Sequence, residues 1–271
     1  MAHLITLITD FGVADTYAGV LKGVILSISP ACSIVDITHQ IPPQDVRAAC
    51  FALSTAYAYF PKGTIHLVVV DPGVGSKRRP LLIETEDYFF IGPDNGVFTA
   101  ILVKPGLKSV IEITNGKYFL AEVSSTFHGR DIFAPIAAHL ANGCPLSRFG
   151  TPVSDYVLLD WPQPSVIKAG EAQGTIIHID RFGNLVTNFP RDYIKQITGK
   201  RAFRIECAGV VITQIVPSYS YAQPGELCGV FGSSNYLEIS VTNGSARDIL
   251  NARPGDCVKI ITADADRDVS R

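Results

Sequence analysis

Two aspartates stand where a carboxylate at the mouth of a buried strand can do chemistry. Asp10 ends the apolar run of LITLITDFG, and Asp71 ends that of TIHLVVVDPGVG. Ligands of an open parallel sheet collect beyond the carboxyl ends of its strands. A carboxylate placed there can accept hydrogen bonds from both hydroxyls of a vicinal diol such as a ribose. One Asp before Gly or Pro is an ordinary turn former, but two at one sheet edge point to a binding site. Beyond Asp71 the segment DPGVGSKRRP brings three consecutive cations, Lys77, Arg78 and Arg79. The turn either folds one of them back onto Asp71 or leaves all three in solvent. A phosphate-binding loop is excluded: there is no GxxxxGK[ST] match, and Gly73 and Gly75 lack the third glycine of the dinucleotide fingerprint. Pro80 also leads into a strand, not into a helix whose N-terminus could hold a phosphate.

A third group of interest is His128 in STFHGRDIF, just ahead of a helical segment whose dipole favours a neutral imidazole. On its own it also reads as a structural histidine. Further on, HIDRFGNLVTNF gathers Asp180, Phe182, Asn184 and Asn188 around a Phe-Gly-Asn turn. That is either ordinary hairpin chemistry or an aromatic face beside an amide that can read a purine edge. The six cysteines and six histidines show no metal-ligand spacing. No zinc or other metal is expected, and the cysteines read as small buried hydrophobes in a reducing compartment.

The elements that must position these groups follow from hydrophobic periodicity. LITLITD, SIVDITH and TIHLVVVD are strands; DTYAGVLKGVILSIS, with Asp15 as N-cap, and PPQDVRAACFALSTAYAYF are helices between them. Strand-helix alternation predicts a parallel sheet covered on both faces, a Rossmann-like α/β domain over residues 1–152. LLIETEDYFFIG adds antiparallel strands, and GRDIFAPIAAHLANG a late helix ending at glycine. Prolines 152, 162 and 164 mark a linker over 153–169. Short strands from 170 to 265 predict a smaller all-β, barrel-like domain.

Composition narrows the function classes. The 271 residues are 47% hydrophobic and 18% charged, with a formal net charge of −2 and no long basic run, which argues against nucleic acid and anionic membrane as partners. No apolar stretch approaches the roughly 20 residues that span a bilayer, and the N-terminus has no signal-peptide pattern. A cytoplasmic protein acting on a small molecule is the expectation.

TDFGxxDxY, DPGVGSxR, FHGRDxF, IDxFGNLVTN and SSNYLEISVTNGSA occur in one order from Thr9 to about Ala246. Together they resemble the S-adenosylmethionine hydroxide adenosyltransferases, hydrolytic relatives of the adenosyl halide synthases. The resemblance implies that water displaces methionine from ribose C5′ of S-adenosylmethionine, giving adenosine with no cofactor. It implies a homotrimer with sites at subunit interfaces. It assigns Asp71, Arg78 and His128 as the catalytic triad, with Arg79 the competing cation, and Asp10 as the ribose-diol acid. Asp15, Asp180 and Ser233 fall where the methionine moiety is held, Phe182 and Asn184 at adenine contacts, and Ser234 where halide-forming members carry arginine. Halogenating relatives carry tyrosine at position 71, so the resemblance favours water over halide. A binder of adenosine or S-adenosylmethionine without turnover is the alternative of another class; a nicotinamide oxidoreductase lacks its fingerprint.

Overall fold

The structure is a computed structural model that describes residues 4–199 and 201–263. The chain is a mixed α/β protein with one large sheet and one nearly closed, barrel-like sheet. It divides into two compact units, Met1–Asp160 and Trp161–Arg271.

In the first unit β1 (Leu4–Thr9), α1 (Tyr17–Ile28), β2 (Ser33–Thr38), α2 (Val46–Ala56) and β3 (Ile65–Val69) appear in the expected order. They are followed by β4 (Pro80–Thr85), β5 (Phe89–Pro93), α3 (Thr99–Leu102), β6 (Leu107–Ile113), α4 (Ala134–Ala141) and β7 (Gly150–Pro152). The sheet order is β2-β1-β3-β5-β4-β6-β7. The β2-β1-β3-β5 portion is parallel; β4, β6 and β7 join antiparallel. Side chains alternate across the sheet. Ile5, Leu7, Leu67 and Val69 pack with Leu21 and Ile25 of α1 and Ile136 of α4. Ile8, Val68 and Val70 pack with Ala49 and Leu53 of α2 and Ile101 of α3. Both faces are covered, which is why these strands read as unbroken apolar runs.

Three local expectations change. Asp15 is not the cap of α1: Thr16 holds that position without a side-chain hydrogen bond, and Asp15 lies exposed in the preceding turn. The proline-led start of α2 is a turn, and the helix begins after Asp45, whose side chain accepts the Ala48 N–H at 2.9 Å. The late helix is not regular from Gly129, because Gly129–Phe133 forms a π-helical turn before α4.

The second unit contains β8 (Ser165–Lys168), β9 (Glu171–Ile179), β10 (Leu185–Pro190), α5 (Arg191–Thr198), β11 (Phe203–Cys207), β12 (Val210–Ile212) and β13 (Ile215–Val216). It closes with β14 (Leu227–Phe231), β15 (Tyr236–Val241), α6 (Ala246–Leu250) and β16 (Cys257–Thr262). The strands run β12-β11-β16-β9-β10-β15-β14-β13, with β8 beside β9. Ile176, Leu185, Phe189, Leu237, Ile239 and Val258 fill the core. Two short helices interrupt the strands. Within 153–169, β8 is a strand, and Val157 and Leu159 are held by hydrogen bonds to Asp94 and Thr99. Residues 264 and 265 of the expected C-terminal domain lie outside the described residues. All six cysteines are free; Cys50, Cys207 and Cys228 are buried, whereas Cys257 is exposed on β16. Among the described residues no helix is long and apolar enough to cross a membrane.

Candidate active site

β1 and β3 are adjacent and parallel, with Thr9 paired to Val69. The chain passes from β1 outward to β2 and returns across β1 to β3, so the carboxyl ends of β1 and β3 form a topological switch point. Asp10 and Asp71 therefore both emerge there. They line one cleft of about 350 Å³ with Phe11, Tyr17, Pro43, Gln44, Val74, Phe127 and His128. Its volume falls in the range of small-molecule pockets.

Arg78 is the cation that turns inward. Its Nε donates to both carboxylate oxygens of Asp71 at 2.9 Å, and its Nη2 donates to Oδ2. The same Nη2 donates to His128 Nδ1 at 2.6 Å. The Arg78 and Asp71 side chains are 8% and 5% exposed, and the guanidinium lies 5.2 Å from the centre of the Phe133 ring. A guanidinium can only donate, so Nδ1 must accept and the imidazole proton resides on Nε2. Burial, then the Arg78 charge, pushes His128 below the ordinary imidazole value, against smaller opposing effects of Asp71 and Asp131. His128 is thus neutral near pH 7, with Nε2–H as its remaining donor. Arg79 turns away from Asp71, onto Asp94 and Asp155.

Local folding explains the convergence. Gly75 adopts φ +75°, and a side-chain carbon there would overlap the Ser125 carbonyl oxygen. The loop carrying Asp71 and Arg78 thereby packs directly against the segment carrying His128. That segment is anchored by Asp131, which is fully buried and accepts the Ser124 N–H at 2.8 Å and Arg130 Nε at 2.6 Å. π-helical turns recur at functional sites because the extra residue re-aims side chains, and this one directly follows His128. Asp10 is oriented by the Gln44 N–H, which donates to its Oδ2 at 2.8 Å. Gln44 reaches that position with φ +66°, a conformation uncommon for a non-glycine residue. Phe11, Tyr17 and Phe127 form an aromatic cluster with centroids 5.2–5.7 Å apart. Sequence reasoning missed Gln44 and gave these aromatics no role, although Phe11 and Tyr17 stand in the TDFGxxDxY motif and Phe127 in FHGRDxF.

In the second unit the Phe-Gly-Asn turn is the β9–β10 hairpin loop. Asp180 Oδ1 accepts the N–H groups of Phe182 and Asn184 at 2.9 Å, and Oδ2 accepts Asn184 Nδ2 at 2.8 Å. One of the two N–H donors of the Asn184 amide is thus engaged by Asp180. Phe182 presents its ring to solvent at 77% exposure, while Asn184 is buried. Ser233 and Ser234 occupy the turn after β14, closed by Asn235 N–H to the Gly232 carbonyl at 3.0 Å. Asp15 neither lines the first-unit cleft nor touches the Asp71 group.

Residues 5–150 match the model of the SAM hydroxide adenosyltransferase N-terminal domain, and 174–259 that of its C-terminal domain. An (R)-S-adenosyl-L-methionine hydrolase of Salinispora tropica is 36% identical, covering 94% of this chain and 97% of the relative. The protein of the same name from Methanocaldococcus jannaschii is also 36% identical, covering 95% of each. A fluorinase of an Actinoplanes species is 29% identical over 88% of this chain and 90% of its own length. The crystal structure of an uncharacterized conserved protein from Thermotoga maritima superposes with a TM-score of 0.89 at 37% identity, covering 95% of this chain and 99% of that one.

Proposed function

The chain belongs to the SAM hydroxide adenosyltransferase family, and from that premise we propose that it hydrolyses S-adenosyl-L-methionine to adenosine and L-methionine. The observation that carries this reading is the contact of Arg78 with both Asp71 and His128, which line a cleft together with Asp10. A water oxygen attacks ribose C5′, the C5′–S bond breaks with its electron pair going to sulfur, and the water loses one proton. The sulfonium is already an excellent leaving group, so the protein must chiefly align the nucleophile and take up the proton. Alignment is worth about 7–11 kcal/mol, and positioned base catalysis about 10²–10⁴-fold. Asp71 receives the proton, Arg78 stabilises the developing hydroxide and holds Asp71 in register, and His128 Nε2–H orients the oxygen. Asp10 accepts the ribose hydroxyls. A halide would meet the Asp71 carboxylate at the point of attack, which disfavours it as nucleophile.

The remaining assignments rest on hydrophobic periodicity and composition for the domains and location, and on the family resemblance for the residue roles and subunit number. They are a Rossmann-like domain over 1–152, a linker over 153–169, and an all-β domain over 170–265. Asp15, Asp180 and Ser233 hold the methionine moiety, with Ser234 beside them; Phe182, supported by its exposed ring, and Asn184 face adenine. The molecule is a cytoplasmic homotrimer with sites at subunit interfaces, and no cofactor is required. Incubation with S-adenosylmethionine in ¹⁸O-water tests the reaction. Labelled adenosine with free methionine is the expected product; methylthioadenosine, 5′-halo-adenosine or intact substrate would overturn it.

A further inference from the structure

Both ends of the loop that carries Asp71 and Arg78 are held by two adjacent residues. Asn95 Nδ2 donates to the carbonyl oxygen of Val70, the residue before Asp71, at 2.9 Å. Asp94 holds Arg79, the residue after Arg78, through three hydrogen bonds. Its N–H donates to the Arg79 carbonyl at 2.8 Å, and its Oδ2 accepts from Arg79 Nε at 3.0 Å and Nη2 at 2.7 Å. The Asp94 side chain is 4% exposed, and its other oxygen accepts the Val157 N–H at 2.8 Å. Asn95 is fixed in turn, its Oδ1 accepting the Val97 N–H at 3.2 Å. Neither residue lines the cleft.

We infer that the Asp94–Asn95 pair is a positioning element for the Asp71–Arg78–His128 group, acting by clamping Val70 and Arg79. The loop contains Gly73 and Gly75, and a glycine-bearing loop has much conformational freedom to lose. With its ends free, Asp71 and Arg78 would adopt many relative placements; with both ends pinned, few remain. The clamp also removes the competing cation. Arg79 is bidentate to Asp94 and donates to the Asp155 carboxylate and carbonyl, which leaves Arg78 alone to meet Asp71. The outer arm is dispensable for this, because the Asp155 side chain is 79% exposed and its removal leaves the Arg79–Asp94 contacts in place.

The inference rests on the proposed reaction only for its kinetic readout. The test compares full-length Asn95→Ala, Arg79→Lys and Asp155→Ala with the parent protein. It measures kcat and KM for S-adenosylmethionine and, without substrate, the titration of the His128 imidazole by NMR. Arg78, Asp71 and Asp131 are the charged groups that act on that imidazole. Asn95→Ala and Arg79→Lys are expected to lower kcat about 10–100-fold, since a misplacement near 1 Å costs about 10²-fold, while KM stays within about threefold. In both, the His128 titration moves upward as Arg78 retreats. Asp155→Ala changes neither quantity. An unmoved His128 titration in the folded variants, or a lower melting temperature with kcat intact, overturns the clamp. If Asn95→Ala does not fold, Arg79→Lys decides by the same readouts. Should the parent protein fail to hydrolyse S-adenosylmethionine, the reaction falls while the titration still decides the clamp.

Discussion

Replacing Gly75 by alanine probes the contact that sets the reacting group. Two penalties arise. The residue sits at φ +75°, where an L side chain costs about 1–2 kcal/mol. The new methyl carbon would overlap the Ser125 carbonyl oxygen, and overpacking of this kind costs about 1–3 kcal/mol. The stiffer unfolded chain returns about 0.4–1 kcal/mol. The net loss is about 1–5 kcal/mol, which lowers Tm by several degrees or more at about 2–4 °C per kcal/mol for a chain of this size class. The catalytic effect is larger than the stability effect suggests. Relieving the overlap moves the Asp71–Arg78 loop away from the His128 segment by about 1 Å to reach ordinary van der Waals separation, and such a misplacement costs about 10²-fold in kcat. Gly63 provides the control: it has φ +84° but no heavy atom within 4 Å of an added carbon. Gly63→Ala should carry the backbone penalty alone and keep its turnover. Adenosine release followed chromatographically, with Tm from calorimetry, gives both quantities. A folded Gly75→Ala protein with kcat within about twofold of the parent would refute the reasoning, because alignment is assigned most of the barrier reduction.

Three further outcomes are expected. Asp71→Asn keeps the shape but loses the base, so kcat should fall about 10²–10⁴-fold while calorimetric binding of S-adenosylmethionine persists; equal loss of binding would place Asp71 in ground-state recognition. His66 is fully buried against Phe90, and burial pushes its imidazole down to about 3. Its unfolded form binds the proton more readily, so the stability it contributes is complete above about pH 6.5 and is lost as pH falls towards 3, with a slope of up to about 1.4 kcal/mol per pH unit; denaturant titrations of His66→Gln between pH 4 and pH 7 should show that slope flattened. Burial, with the neighbouring Asp180 charge, raises the Glu238 carboxyl, whose Oε2 accepts the Tyr219 hydroxyl at 2.8 Å. A raised carboxyl favours the folded state below its unfolded value and disfavours it as pH rises through the folded one, so Glu238→Gln should raise Tm at pH 8 and lose that advantage near pH 4; an equal gain at both pH values would contradict this.

The first-unit framework was readable from periodicity. β1 and β3 bury both faces and so appear as unbroken apolar runs, and α1 and α2, on either side of the half-exposed edge strand β2, imposed a parallel sheet with Asp10 and Asp71 at one edge. The family resemblance, carried by five ordered motifs, agrees with the domain models that match residues 5–150 and 174–259. What periodicity did not carry were features whose partners lie far along the chain. The bonds of Val157 to Asp94 and Leu159 to Thr99 turn part of a proline-rich connection into ordered structure. The π-helical turn after His128 has the apolar spacing of any helix start.

Residue types and their order determined the kind of chemistry: an acid at a strand end, a cation cluster after a glycine turn, a histidine at a helix start. Only the tertiary structure decided which cation faces inward. Arg78 and Arg79 are chemically alike and adjacent, and nothing local separates them. Asp94 lies 15 residues from Arg79 and Asp155 lies 76 away, and these remote carboxylates draw Arg79 outward while His128, 50 residues from Arg78, receives the other. A local pattern cannot encode a choice made by competing partners that only the folded chain brings within hydrogen-bonding reach.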